Sequence, residues 1–538
     1  MTKINIVTAL LVSMAGFSPV KANFNPHYFY DDCITQLCED LPSDCDKNIC
    51  ENHSRARLYC GTSTSANQQQ IDDLYGSGLL LGGVKAKIFS NNPVQYPQFD
   101  KMLYVVGPYT FAGLTSGTST SCDVPTEEQT PATQYYCLLD KGLRDYANNK
   151  GIEVMVIDFS PRPSDTVAQK ASGVRRVLHL VERFGQGHEP SVMLGLSLGG
   201  VVARHALTTL ERDGITHGVS HYISYDSPHA GAHIPLSLQK VPLYIERAFR
   251  RIRSGNNDSG GFLVKYIAKI LDVIFKPFLG GEIGDKLDQL EAGVKQAGAA
   301  AGLAQSIFTE NFDRPAVREL LIQNILQGGN RHPDAIALQN QLNILGFPRR
   351  TSKNIAIVNG SDSQQAFVPN SHYIDYESNR VSRTSMWFKA QPDFFTPYFH
   401  GNTNYYAADS YGYKNARADE RRASTVQSYD RVPCAIFDVA SIVSANLSDS
   451  LKEHWYAPKK DAISLSSSCY IPSISAAGGK FEDLHKTNVS IYNIGAFDEI
   501  ISQSANTEHM SFSCDIVRSI GDSMSQVYQT GAIHMQCP

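Results

Sequence analysis

Short apolar runs alternate along the first half of the chain with longer stretches in which apolar residues recur every three or four positions. The runs lie at residues 84–89, 101–106, 152–159 and 190–194. Ile152-Glu153-Val154-Met155-Val156-Ile157-Asp158-Phe159 is the fullest of them. Runs of this length suit strands buried on both faces. The periodic stretches, 136–149, 166–184 and 201–211, read as helices, and Gly151 stands where the first should stop. Strands separated by single helices predict a parallel sheet with right-handed crossovers, because a parallel neighbour needs a long connection and a helix supplies it.

The alternation stops near residue 240. Residues 241–350 read as mostly helical, with an Ala/Gly-rich part at 297–304, and a strand returns at 354–358. From 366 to 490 the composition shifts to Tyr, Ser, Asn and Asp with irregular short strands. No internal repeat is visible. A chain of 538 residues is too long for one ordinary core, so both stretches are expected as insertions into one domain. The expected organisation is a leader at 1–22, a cysteine-rich segment at 23–80, the first part of the core at 81–240, a helical cap at 241–350, a core strand and its loop at 351–365, a second insertion at 366–490 and the end of the core at 491–538.

Charge changes this picture little. A formal net charge of −5 gives no electrostatic case for nucleic acid as a partner. The N-terminus changes it more. Met1-Thr2-Lys3 is a basic start, Ile4 to Phe17 is mostly apolar, and Val20-Lys21-Ala22 resembles a signal-peptide cleavage site. The apolar run is short for a membrane span. The expected location is therefore periplasmic or extracellular. Eleven cysteines in an exported chain point to disulfides. Cys33, Cys38, Cys45, Cys50 and Cys60 cluster without C-x-x-C spacing, which disfavours zinc, and Cys122 is expected to pair with Cys137.

The strongest chemical signal is Gly195-Leu196-Ser197-Leu198-Gly199-Gly200, placed between a strand and a helix. A serine there sits on a sharp turn that glycines make passable, and its hydroxyl projects beside a helix N-terminus. Ser197 is the candidate nucleophile. The backbone N–H of Leu198 is the first candidate oxyanion donor. The second should come from the loop Gly107-Pro108-Tyr109-Thr110; Pro108 has no N–H, which leaves Tyr109.

Four segments, Leu103 to Tyr109, Leu194 to Leu207, Tyr222 to Gln239 and Arg314 to Ser361, resemble secreted bacterial α/β-hydrolases related to esterases, lipases and PGAP1-like (GPI inositol-deacylase-like) proteins. Ser227-Pro228-His229-Ala230-Gly231-Ala232 looks like the T-P-H-x-G-[SA] segment that follows the elbow in many lipases, with Ser for Thr. The resemblance implies an α/β-hydrolase fold, a mostly parallel sheet with a helical cap and a second, irregular insertion, together with ester hydrolysis. It gives His229 a structural role.

A serine hydroxyl needs a histidine to take its proton and a carboxylate to hold that imidazole. In this fold the order is Ser, acid, then a late His. Of His454, His485, His509 and His534, His509 is the candidate base: in Glu508-His509-Met510-Ser511-Phe512 it resembles the short loop that bears the base in lipases. Three acids remain open. Asp362 follows the strand at 354–358, the expected position. Asp226 ends an earlier strand, a position some lipases use, and Asp498 lies near His509 in sequence.

Residues 262–278 place Lys265, Lys269, Asp272 and Lys276 on one stripe of an otherwise apolar helix. This is either a lid that meets acyl chains or a lipid surface, or cap core. Either way an apolar roof over Ser197 suits a small-molecule or lipid ester. No cofactor or metal is expected. The rival readings are an amidase or polyester depolymerase using the same machinery, and a catalytically idle hydrolase fold that binds a surface.

Overall fold

The computed structural model describes residues 73–108, 143–234, 312–362, 432–437 and 468–530 with short gaps inside those blocks, Gln239, and the backbone of five short strands between 374 and 465. The chain divides into two compact units at Asp72/Asp73, and the described residues lie in the second. The expected leader, the cysteine cluster, Cys122, Cys137, Tyr109 and the expected helix at 262–278 lie outside the described residues.

The core begins with the strands β1 (Leu79–Leu81), β2 (Val84–Phe89) and β3 (Met102–Val106), then helix α1 (Leu143–Asn149) and β4 (Glu153–Asp158). Helix α2 (Val167–Phe184), β5 (Ser191–Leu196), α3 (Leu198–Arg212) and β6 (Val219–Tyr225) follow. After the undescribed part of the cap come α4 (Pro315–Leu320), α5 (Pro333–Leu345) and β7 (Lys353–Val358). Residues 366–490 hold β8 (Ile374–Tyr376), β9 (Trp387–Ala390), β10 (Tyr405–Asp409), β11 (Gly412–Lys414), β12 (Cys434–Phe437), β13 (Ile463–Leu465), β14 (Ser468–Pro472) and a short helix α6 (Ser473–Ala476). The chain closes with β15 (Glu499–Ser502) and α7 (Cys514–Tyr528).

Eight strands form the central sheet in the order β1-β2-β4-β3-β5-β6-β7-β15. The first two pairings are antiparallel, and all others are parallel. The second insertion is more regular than its composition suggested. It contains a five-stranded antiparallel sheet, β11-β10-β9-β8-β13, and the pair β12–β14.

The near-continuous apolar runs are explained by burial on both sides. Leu103 and Val105, Val154 and Val156, Val192, Leu194 and Leu196, and Ile223, Ile355 and Ile357 share one core with α1 and α7. The alternate residues Tyr104, Met155, Met193 and Tyr222 are equally buried and face the other way by strand geometry. There Tyr222 donates to Gly200 O in α3 at 2.6 Å, fixing the side on which that helix packs. Burying each Val, Leu or Ile is worth roughly 1.5–3 kcal/mol, and two filled faces give the sheet its rigidity. Helix α7 closes the first face with Ile516, Ile520, Met524 and Tyr528, a spacing of four that lines one helical stripe. Ser513 caps α7 by accepting from Ile516 N.

Helices α4 and α5, in the last part of the expected cap, lie against the core. Arg204 of α3 donates to Leu342 O of α5 and to Gly346 O, the residue that ends it, at 2.8 and 2.7 Å. Glu319 of α4 accepts from Val167 N at the start of α2 at 2.7 Å. Burial, aided by Asp334, pushes the Glu319 carboxyl up from its ordinary 4.5 to about 7, against the bond from Val167 and the charges of Arg318 and Lys170. The folded state therefore binds this proton more tightly than the unfolded state, and Glu319's share of stability is lost as pH rises from about 4.5 to about 7. Glu319→Gln, which has no proton to lose, should gain urea resistance relative to the parent between about pH 5 and pH 8. A gap that stays constant or narrows across those two pH values would refute this assignment.

Candidate active site

The turn between β5 and α3 is set by close approach. A Cβ on Gly195 would lie 2.4 Å from Gly200 Cα, and one on Gly199 would lie 2.1 Å from Val106 O, so neither position has room for a side chain. Ser197 sits between them with φ 51° and ψ −119°, a conformation that a non-glycine residue holds only under strain. That strain lifts Oγ out of the sheet at the C-terminal end of β5, where the first turn of α3 leaves backbone N–H groups unpaired. Leu198, the first residue of α3, supplies such an N–H. In the loop after β3, Gly107 N is spent on Ile157 O at 2.9 Å, and Pro108 has none to offer.

His509 Nε2 lies 3.0 Å from Ser197 Oγ. On its other side, His509 Nδ1 lies 2.5 Å from Asp226 Oδ2. Ser197 and Asp226 are buried, Asp226 completely, so little water competes for these bonds. Asp226 stands at the end of β6 with φ 46°, its N–H donating to Ile357 O at 2.7 Å and its Oδ1 accepting from Asn359 N at 3.3 Å. The carboxylate thus belongs to a backbone position clamped between two strands.

The loop carrying His509 is held along its length. Thr507 N donates to Asn359 O and His509 N to Ile436 O, at 2.9 and 2.8 Å. Tyr225 Oη donates to Ser511 O at 2.7 Å. Met510 turns the chain with φ 61° and buries its side chain in the core beneath. Tyr470 of β14 meets the imidazole edge to face, with ring centroids 4.8 Å apart. The pair β12–β14 therefore supports His509 through a backbone bond and a ring contact.

The expected first acid, Asp362, is not beside His509. It accepts from Ile491 N at 3.1 Å and Ser490 Oγ at 3.2 Å, capping the turn Ile491–Asn493. The chain leaves β7 toward β12, where Ser361 N bonds Asn506 Oδ1, and this carries Asp362 away. Asp498 is also elsewhere. It accepts from Asn354 N at 2.7 Å at the N-terminal end of β7, whereas Ser197 lies at the C-terminal edge of the sheet. Of the three carboxylates, the structure brings Asp226 to the imidazole.

His229 bonds Ser224 Oγ through Nε2 at 2.7 Å beneath the elbow, and burial lowers its pKa well below the ordinary value, so it stays neutral. Among the described residues, no group of three His, Cys, Asp or Glu side chains could hold a metal ion. Asn359 and Tyr470 were not singled out by the sequence. They carry no chemical motif, and only the pairing of distant segments brings them to His509.

A sheet in this order, with a strained serine after β5 and a histidine loop after the last strand, decides the architecture. The fold is that of an α/β-hydrolase. No family model matches the chain, and no curated protein matches it significantly. Among solved structures it is similar to Est1E of Butyrivibrio proteoclasticus with ferulic acid bound, at 14% identity over 28% of this chain and 52% of that one, TM-score 0.19. It is also similar to the haloalkane dehalogenase DatA of Agrobacterium tumefaciens C58, at 11% identity over 52% and 77%, TM-score 0.25. An esterase of Pyrobaculum calidifontis matches at 15% identity over 30% and 48%, TM-score 0.20. The chain spans about half the length of the first of these, Est1E.

Proposed function

We propose that this α/β-hydrolase is an exported serine hydrolase that cleaves carboxylic esters, with Ser197 as nucleophile, His509 as base and Asp226 as the acid that orients it. The observation that carries the reading is the unbroken chain of hydrogen bonds from Asp226 through His509 to a strained serine. In the reaction Nε2 of His509 takes the Ser197 proton as Oγ attacks the ester carbonyl. Asp226 holds the Nδ1–H tautomer and stabilises the imidazolium. The oxyanion is met by the Leu198 N–H and, on the sequence reading, by that of Tyr109. His509 returns the proton to the leaving alcohol, and water repeats the attack on the acyl-enzyme.

An apolar cap formed by residues 241–350 would favour long or aromatic acyl groups. Each methylene buried is worth up to about 0.8 kcal/mol, so kcat/KM should climb steeply from two-carbon to eight-carbon esters. Steady-state assays of the purified chain across such a series test the reading. A flat or falling series, with turnover of an amide or a polyester instead, would favour that class of substrate, and contact between the cap and a lipid surface would fall with it. Absence of any acyl transfer would leave the surface-binding alternative.

Export and disulfides form part of the same proposal. Cys434 and Cys469 are buried on the paired strands β12 and β14 and sit 2.5 Å apart, and Cys514 at the start of α7 is disulfide-bonded. Non-reducing peptide mapping of the secreted protein should recover Cys434 linked to Cys469. Alkylation of both as free thiols would remove this support for an oxidising compartment.

A further inference from the structure

We propose that Asn359, at the C-terminal end of β7, is a positioning residue that locks the His509 loop against Asp226 and so sets how well the imidazole is held for proton transfer. The inference rests on the reading of Ser197, His509 and Asp226 given above and deepens it.

Asn359 is completely buried, and its polar groups are divided between the acid and both flanks of the base. Its N–H donates to Asp226 Oδ1 at 3.3 Å. Its carbonyl accepts from Thr507 N at 2.9 Å and Thr507 Oγ1 at 2.8 Å, two residues before His509. Its Nδ2 donates to Glu508 O at 2.7 Å and Ser511 O at 3.2 Å, one residue before and two after. Both acceptors are carbonyls, so only the amide nitrogen can stand there, and the orientation of the side chain is settled by chemistry.

The two carbonyls select that orientation, and it comes with a loss. It leaves Asn359 Oδ1 buried with no hydrogen-bond partner among the described residues, which costs free energy. An apolar residue would avoid the loss. Only a side chain with two donors on one atom spans the carbonyls on either side of His509. This is also the strand end at which the fold more often places its acid. Here the carboxylate that meets the imidazole is one strand over, at Asp226, and the amide of Asn359 braces the loop from the end of β7. A carboxylate there would repel Glu508 O and Ser511 O and crowd a second negative charge against Asp226.

The test is Asn359→Asp, which keeps the shape and the backbone bonds but turns the donor into an acceptor and adds charge. In the folded variant, kcat should drop about 10-fold to 100-fold with KM unchanged, the scale of one or two lost hydrogen bonds. The acid-limb midpoint of kcat/KM should move up by at least about half a pH unit, because a second carboxylate favours the imidazolium. The far-downfield proton resonance of the His509–Asp226 bond should shift or broaden. That resonance reads geometry without turnover: were the parent chain inactive on esters, it would still report on Asn359 while the reaction reading failed. If Asn359→Asp does not fold, Thr507→Val, which removes only the hydroxyl bond to Asn359 O, is read in kcat and in the resonance, its midpoint staying parental because it adds no charge. Parental kcat, midpoint and resonance in a folded variant would overturn the proposal. So would a lowered melting temperature with all three unchanged, since that marks a purely structural residue.

Discussion

Asp226→Asn is expected to lower kcat about 10⁴-fold while the protein stays folded. The amide can keep a contact with His509 Nδ1, but it presents N–H where an acceptor is needed, and the imidazole then turns its proton toward Ser197. Nε2 can no longer accept. The loss should fall on kcat and kcat/KM alike, because the tautomer matters to the transition state and not to ester binding. The amide keeps the shape of the carboxylate and its bond from Asn359 N, so the variant should stay folded, which a thermal melt checks. The controls are specific. Asp362→Asn should leave kcat near the parent, because Asp362 caps the turn at Ile491. Asp498→Asn should act on stability, because its bond to Asn354 N pins the start of β7. An inactive Asp362→Asn beside an active Asp226→Asn, measured as kcat on one short ester, would reverse the assignment.

Ser197→Ala is expected to have the larger effect, about 10⁴-fold to 10⁶-fold in kcat, with KM little changed. The residue supplies the one atom to which the acyl group is transferred, and water held beside His509 replaces it poorly. The remaining rate should come from the oxyanion donors and from binding, which the substitution does not touch. Combining it with Asp226→Asn should cost little more than Ser197→Ala alone, because the three residues act as a unit. Additive losses in the double variant would show that they do not.

The fold was largely legible. The run 152–159 contains β4 (Glu153–Asp158) and the periodic stretch 166–184 contains α2 (Val167–Phe184), because burial on two faces leaves continuous apolar runs and burial on one leaves a helical stripe. β15 was not legible. It is four half-buried residues at the sheet edge, too short to show a period. At the site, Ser197 was readable from local crowding, since the glycines around it serve the turn itself. His509 was readable from its short loop. The carboxylate that meets the imidazole was not, because Asp226 and His509 are 283 residues apart. Three strand-end or loop carboxylates look alike until the path of the chain after β7 is known. That path, through Gly360 packed on Cys434 and Ser473, takes Asp362 off to a capping role. Asn359 was passed over for the same reason: an asparagine at a strand end has no signature until its partners are in place.

The central claim is that Ser197 is a nucleophile activated by His509 and Asp226, and covalent trapping tests it most directly. The folded chain should be treated with a fluorophosphonate probe and the adduct located by peptide mass spectrometry. One adduct is expected, on the Ser197 peptide, absent in Ser197→Ala and formed far more slowly in Asp226→Asn. An adduct on another serine, or labelling undiminished in Ser197→Ala, would contradict it.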